Sequence, residues 1–178
     1  MRSGPAAIRP ARSERGSPVR RFAILAALLC LTACADPRIA ADLAQANAFL
    51  AGNAKQPGVM VLPSGLQYRV LTSGPAGGAS PLATDKVAVQ YEGRLLNGQV
   101  FDSSYQRGQP AIFTVGQLIP AWTEALQKMH PGDTWMLYAP PNLAYGVKGV
   151  GPIPPNSALV FKIQLIGVLP RDASVGDG

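Results

Sequence analysis

A chain of 178 residues with 47% hydrophobic side chains has room for one domain with a packed core, which excludes a wholly disordered chain. Its formal charge of +6 does not indicate a nucleic-acid partner, because residues 1–33 hold six Arg against one Glu while residues 34–178 hold ten Lys/Arg against nine Asp/Glu. Two Cys and one His exclude a zinc cluster and the usual metal constellations, so neither metal nor cofactor is expected.

Arg20 and Arg21 precede an apolar run of ten residues, Phe22 to Leu31. A charged stretch followed by 7–15 apolar residues has the form of a secretory leader, and the run is shorter than the ~18–20 residues that span a bilayer. Arg20-Arg21 also invites a twin-arginine reading, but the flanking residues match that pattern poorly. The run ends in Leu31-Thr32-Ala33-Cys34, which resembles the bacterial lipobox. That resemblance implies cleavage before Cys34 and lipid on its sulfur; the alternative is a free Cys beside an ordinary cleavage site. It also implies a cell-envelope location, and Ala35 after the Cys implies the outer membrane. Cys30 leaves with the leader, so no disulfide is expected.

Residues 34–59 read as either a tether or a short helix: Leu43, Ala46 and Leu50 keep a weak helical period, and Gly52-Asn53 would end it. Leu66 to Leu71 reads as a strand, and Gly74 to Pro81 as a loop. Val87, Val89 and Tyr91 alternate with polar or small neighbours, the period of a half-buried strand. Asn97-Gly98 predicts a two-residue hairpin with positive φ at both positions, returning through Val100-Phe101-Asp102. Ile112 to Val115 is a short strand. Ile119, Trp122, Leu126 and Met129 share one helical face, with Pro120 in the first turn and His130-Pro131-Gly132 as the stop. Thr134 to Ala139 is a strand, and Leu159, Phe161, Ile163 and Leu165 alternate in the last one. The pattern predicts an α+β fold, an antiparallel sheet of five to six strands with one short α-helix. The domain spans 60–168, and a flexible tail follows over 169–178.

The usual catalytic sets are missing. His130, the single His, reads as a charge complement at a helix end rather than a base. Both Cys belong to the leader, no phosphate-binding glycine loop occurs, and the acids are scattered. What remains is an aromatic set: Tyr91, Phe101, Phe113, Trp122, Tyr145 and Phe161. Aromatics at strand and helix spacing are commonly core. Phe101 is followed by the acid Asp102, and Tyr145 within Ala144-Tyr145-Gly146 sits in a loop context, where contacts with a ligand are frequent.

Val89-Gln-Tyr-Glu-Gly93 and Asn97-Gly-Gln-Val-Phe-Asp-Ser-Ser104 resemble the FKBP-type peptidyl-prolyl cis-trans isomerases, in particular their macrophage-infectivity-potentiator-like bacterial members. Val115-Gly-Gln-Leu-Ile-Pro-Ala-Trp122, Leu143-Ala-Tyr-Gly146, Ile153-Pro-Pro-Asn156 and Leu159-Val-Phe161 continue the resemblance in family order. It implies a curved sheet wrapped on the Trp122 helix, with a pocket between them. Trp122 would form the floor, and Tyr91, Phe101, Phe113, Leu118, Ile119 and Phe161 the lining. Asp102 would lie near the substrate carbonyl, hydrogen-bonded toward Tyr91, either touching substrate or orienting that ring. Tyr145 would offer its hydroxyl to the peptide, and Ile153 would close the loop side.

Two positions depart from the family pattern: Ala111 where an aromatic is common, which trims the wall available to macrolide inhibitors, and Ala121 where Gly is usual. The implied partners are proline-containing polypeptides, macrolides, and a membrane through the lipid. Relatives often dimerise through long N-terminal helices, and the short segment after Cys34 implies a monomer. The alternative function is a peptide-binding chaperone module with little turnover.

Overall fold

The computed structural model describes residues 37–169. The expected leader over 1–33, its Cys34, and the tail beyond Leu169 lie outside the described residues. Of the tail expected over 169–178, Leu169 is tied down, its N–H donating to the Lys86 carbonyl at 2.8 Å.

Among the described residues seven strands form one antiparallel sheet: β1 (Met60–Val61), β2 (Gln67–Thr72), β3 (Lys86–Leu95), β4 (Val100–Ser103), β5 (Ala111–Thr114), β6 (Thr134–Ala139) and β7 (Leu159–Val168). The order is β1-β2-β6-β7-β3-β4, and β5 also pairs with β3. Two α-helices, α1 (Pro37–Asn53) and α2 (Pro120–Leu126), accompany them. The expectation of five to six strands and one helix is therefore short by β1 and α1. The two residues of β1 are too few to show a period.

The interior follows the alternation seen in the sequence. Val87, Val89, Tyr91 and Leu95 of β3, and Leu159, Phe161, Ile163 and Leu165 of β7, are buried, because successive side chains of a strand take opposite faces. α2 closes this face with Ala121, Trp122, Ala125 and Leu126. Seven residues are too few for a helix to stand alone in water, so packing holds it. The Thr123 hydroxyl also donates to the Val115 carbonyl at 2.8 Å. Met129 lies past the helix end and is fully buried.

Of the residues 34–59 read as a tether or a short helix, Pro37–Asn53 form the helix α1. It covers the opposite face, where Ala46 and Leu50 bury against Tyr138 and Ala158. The Gln67 amide donates to the Leu50 carbonyl at 2.9 Å, and the Asn53 amide to Gln67 Oε1 at 2.8 Å. The apolar period is weak in the sequence because only a narrow stripe of α1 touches the sheet.

Two local expectations are corrected. The β3–β4 connection is a three-residue loop, Leu96-Asn97-Gly98. The Gly98 N–H bonds the Leu95 carbonyl, only Gly98 takes a positive φ (86°), and Leu95 closes the loop on Gln99. This is a turn followed by a left-handed glycine rather than a mirror-image two-residue turn. His130 is not a charge complement of α2, which ends at Leu126. Instead its backbone N–H donates to Asp133 at 2.9 Å, and its Nδ1 lies 3.8 Å from the same carboxylate.

Candidate functional site

The outer edge of β3 changes partner midway. β5 pairs with Lys86 to Val89, and β4 pairs with Glu92 to Arg94. Between them Ser104 caps the open edge: its N–H donates to the Tyr91 carbonyl at 3.0 Å, and its hydroxyl accepts the Tyr91 N–H at 2.8 Å. Along β4 the register slips, with Asp102 opposite Gly93 but Val100 opposite Arg94, leaving Phe101 as an extra residue. A bulge breaks strict alternation and re-aims side chains. Phe101 and Asp102, though consecutive, both border the same cavity.

That cavity, about 370 Å³, lies between α2 and the sheet. Trp122, only 4% exposed, is its floor. Three rings meet the indole edge-on: Tyr91 at 5.0 Å, Phe161 at 5.5 Å and Phe113 at 6.0 Å. Phe101 stands edge-on to Phe161 at 5.8 Å. Edge-to-face contacts at these spacings fix ring orientation as well as burying area. Leu118, Ile119 and Gln117, leading into α2, form one wall, and Tyr145 stands at the mouth. The structure thus brings together every expected pocket residue except Ile153, which is 5% exposed and belongs to the core rather than to the lining. Ala111 also packs against the core and does not line the cavity.

The polar edge is a closed triangle. The Tyr91 hydroxyl donates to one oxygen of Asp102, Arg107 pairs with the other, and the second Arg107 nitrogen donates to the Tyr91 hydroxyl at 2.9 Å. The guanidinium carbon lies 5.5 Å from the Tyr91 ring centroid. Burial works to raise the Asp102 pKa, but the donors Tyr91 and Arg107 prevail and hold it below 3.8. Burial, then the bond to Asp102, pushes Tyr91 above 10.0. Burial and the Asp102 charge do the same to Tyr145. At neutral pH the mouth therefore carries the Asp102 carboxylate paired with the Arg107 guanidinium, and two phenols that keep their protons. An aromatic floor with an anchored ion pair at its edge suits binding and orienting a polar group attached to an apolar ring, without covalent chemistry.

The sequence pattern described as FKBP-type peptidyl-prolyl cis-trans isomerase matches residues 77–166, and the one described as the domain amino-terminal to it matches residues 31–70. The chain belongs to the FKBP-type peptidyl-prolyl cis-trans isomerases.

Its FKBP relatives include the peptidyl-prolyl cis-trans isomerase Mip of Coxiella burnetii, 54% identical over 125 residues, which are 70% of this chain and 54% of that protein. The outer membrane protein MIP of Legionella longbeachae is 52% identical over 126 residues, 70% of this chain and 53% of the relative. The crystal structure of FkpA from Escherichia coli superposes with a TM-score of 0.72 at 41% identity, covering 75% of this chain and 62% of that one. The chain spans about half the length of the curated relatives it matches. Within this FKBP fold two residues at the site escape sequence reasoning. Gln117 sits inside a recognised motif without a chemical signature of its own. Arg107 belongs to a polar loop, and nothing in its neighbours tells that it folds back onto Asp102.

Proposed function

We propose that this FKBP chain catalyses cis-trans rotation of X-Pro bonds in envelope or exported polypeptides, anchored to the envelope by lipid on Cys34. The observation that carries the activity is the aromatic cavity over Trp122 with the Tyr91–Asp102–Arg107 triangle at its edge. Rotation about a peptide bond must overcome ~18–20 kcal/mol of lost resonance, and uncatalysed X-Pro exchange takes tens to hundreds of seconds. No bond is made or broken, so no nucleophile is required.

Phe101, Phe113, Leu118, Ile119 and Phe161 grip the proline ring over Trp122. Asp102 holds Tyr91 and sets the polarity of one side of the amide, and Tyr145 donates to a peptide carbonyl. In the twisted state the carbonyl loses polarity, so a cavity emptied of water favours it over the planar amide. An acceleration of about 10⁵ requires about 7 kcal/mol of such differential binding.

Support for the anchor comes from Leu31-Thr32-Ala33-Cys34 and from the relative named an outer membrane protein. Ala35 favours the outer membrane, and the short stretch after Cys34 favours a monomer, which sedimentation of the acyl-free chain tests. A prolyl isomerisation assay, with and without tacrolimus, tests the activity. Catalysis blocked by the macrolide assigns it to the Trp122 cavity. Catalysis without inhibition keeps the enzyme and removes macrolides from its partners. A folded protein without catalysis removes the proposal.

A second reading, a peptide-holding module, uses the same aromatic cavity and needs no turnover. Suppression of aggregation that survives Asp102→Ala would support it, and joint loss of both activities would not.

A further inference from the structure

Ile39, Leu43, Ala46 and Leu50 follow one another along a single stripe of α1, at intervals of three or four residues. The C-terminal half of the stripe is buried on the sheet. The N-terminal half is not: Ile39 is 37% and Leu43 41% exposed. The stripe therefore runs past the surface that α1 covers.

The start of α1 is joined to the loop at the cavity mouth. The side-chain amide of Asn156, which is 6% exposed, donates to the Ile39 carbonyl at 3.1 Å. The Asn156 backbone N–H donates to the Gly146 carbonyl at 2.8 Å, next to Tyr145. The same loop carries Val147 at 71% and Val150 at 52% exposure, with exposed Lys148 between them. Single exposed apolar residues need no explanation, but two at the start of α1 and two on the loop that Asn156 ties to it stand near one junction and ask for a partner.

Chain length says what the partner is. Only Ala35 and Asp36 separate Cys34 from Pro37, a span of about 11 Å at full extension. Lipid on Cys34 would hold the start of α1 at the headgroup layer. Apolar side chains with an intervening Lys suit a bilayer containing anionic lipid. We propose that Ile39, Leu43, Val147, Lys148 and Val150 rest on the bilayer that holds Cys34, so that the cavity opens at the membrane surface and takes polypeptides there. This rests on the lipidation of Cys34.

The test uses the mature lipidated protein in vesicles of phosphatidylethanolamine and phosphatidylglycerol. Removal of Cys30 with the leader and acylation of Cys34 leave no free thiol, so one introduced Cys carries a fluorescent label. Labels at Ile39→Cys and Val147→Cys are compared with Lys128→Cys. Lys128 borders the groove of Asp133, whose carbonyl accepts the Leu165 N–H at 3.0 Å. The patch lies toward the Leu159 end of β7, about 20 Å away along that strand. Leu43→Cys and Val150→Cys stand in where a variant loses the wild-type urea midpoint.

Quenching by headgroup spin-labelled lipid should be at least threefold stronger at 39 and 147 than at 128. Equal quenching at the three sites of a protein shown by mass spectrometry to be acylated overturns the proposal and leaves the anchor standing. An acyl-free mature chain overturns the anchor and the proposal together. Sedimentation as a dimer, with position 39 shielded and 147 unquenched, overturns it in favour of contact between copies.

Discussion

Gly93 is the position where one added carbon should disturb the cavity most. A Cβ there would meet Phe101 Cζ at 2.6 Å, Phe101 Cε2 at 2.7 Å and Phe161 Cε1 at 3.0 Å. Carbon atoms in contact sit about 3.5–4.0 Å apart, so the Phe101 ring must retreat by about 1 Å in Gly93→Ala. Phe161 cannot share the movement easily, being 3% exposed and set against the Trp122 indole at 5.5 Å. Phe101 is half-buried and borders the cavity, so it yields into the space that a proline would fill. Overpacking a core costs about 1–3 kcal/mol, and a ring edge free to move places this variant near the lower end. The expected loss in kcat/KM is about tenfold, or about 1.4 kcal/mol of transition-state binding. Urea unfolding followed by Trp fluorescence reads the first quantity, and a protease-coupled prolyl peptide assay the second. Phe101→Leu removes the obstructing ring edge, so Gly93→Ala should cost less in that background, with a coupling of about 0.5–3 kcal/mol. Additive effects, or a Gly93→Ala protein with wild-type midpoint and turnover, would refute the reasoning.

Arg107→Met removes a donor and a positive charge from Asp102, leaving chiefly the Tyr91 hydroxyl to oppose the upward push of burial. The acid limb of kcat/KM should move to higher pH, and an unmoved limb would show that Arg107 does not hold the charge. The sign for stability follows. A depressed carboxyl stabilises the fold above its unfolded pKa of about 3.9. That contribution disappears as pH falls through the lower folded value, and Arg107→Met should lessen it. Tyr91 has the opposite sense: its contribution is present below about pH 10 and is lost as pH rises through its raised value. Tyr145→Phe should lower kcat/KM several-fold while the unfolding free energy in urea changes by less than about 0.5 kcal/mol, since its ring is at the surface; unchanged kinetics would remove the hydroxyl from the site. Trp122→Leu should remain folded, lose about 2–4 kcal/mol and bind prolyl peptides far more weakly; retained binding would move the floor elsewhere.

Regular elements were legible where one face is buried. β3 and β7 alternate because each packs one side on α2, and a period of two survives in the sequence as Val87, Val89, Tyr91 and Leu159, Phe161, Ile163. α2 was legible through Trp122, Leu126 and Met129 even though the helix ends before the last of these, because turn residues can continue a buried stripe. α1 was ambiguous because half of its stripe is unpacked. The loop after Leu95 was misread because Asn-Gly fits two turn types, and only the φ of Asn97 separates them. The cavity residues were found through motif order, which spacing alone would not have supplied. Arg107 carries no pattern at all, since its contact closes a loop rather than an element.

The cavity lies where the alternation fails. A β3 edge paired without a break from Lys86 to Arg94 would leave no opening beside Tyr91, and an unbulged β4 would turn either Phe101 or Asp102 away. Buried Ser104 makes the break tolerable by meeting both backbone groups of Tyr91, which would otherwise be costly to leave unpaired. Gly93 makes the bulge tolerable by leaving room for the Phe101 ring. The excursion from Tyr105 to Pro110, which the split edge requires, returns Arg107 to Asp102. Site and irregularity therefore have one origin. A substitution that restores regularity, such as a side chain at Gly93, should damage the cavity more than the sheet that carries it.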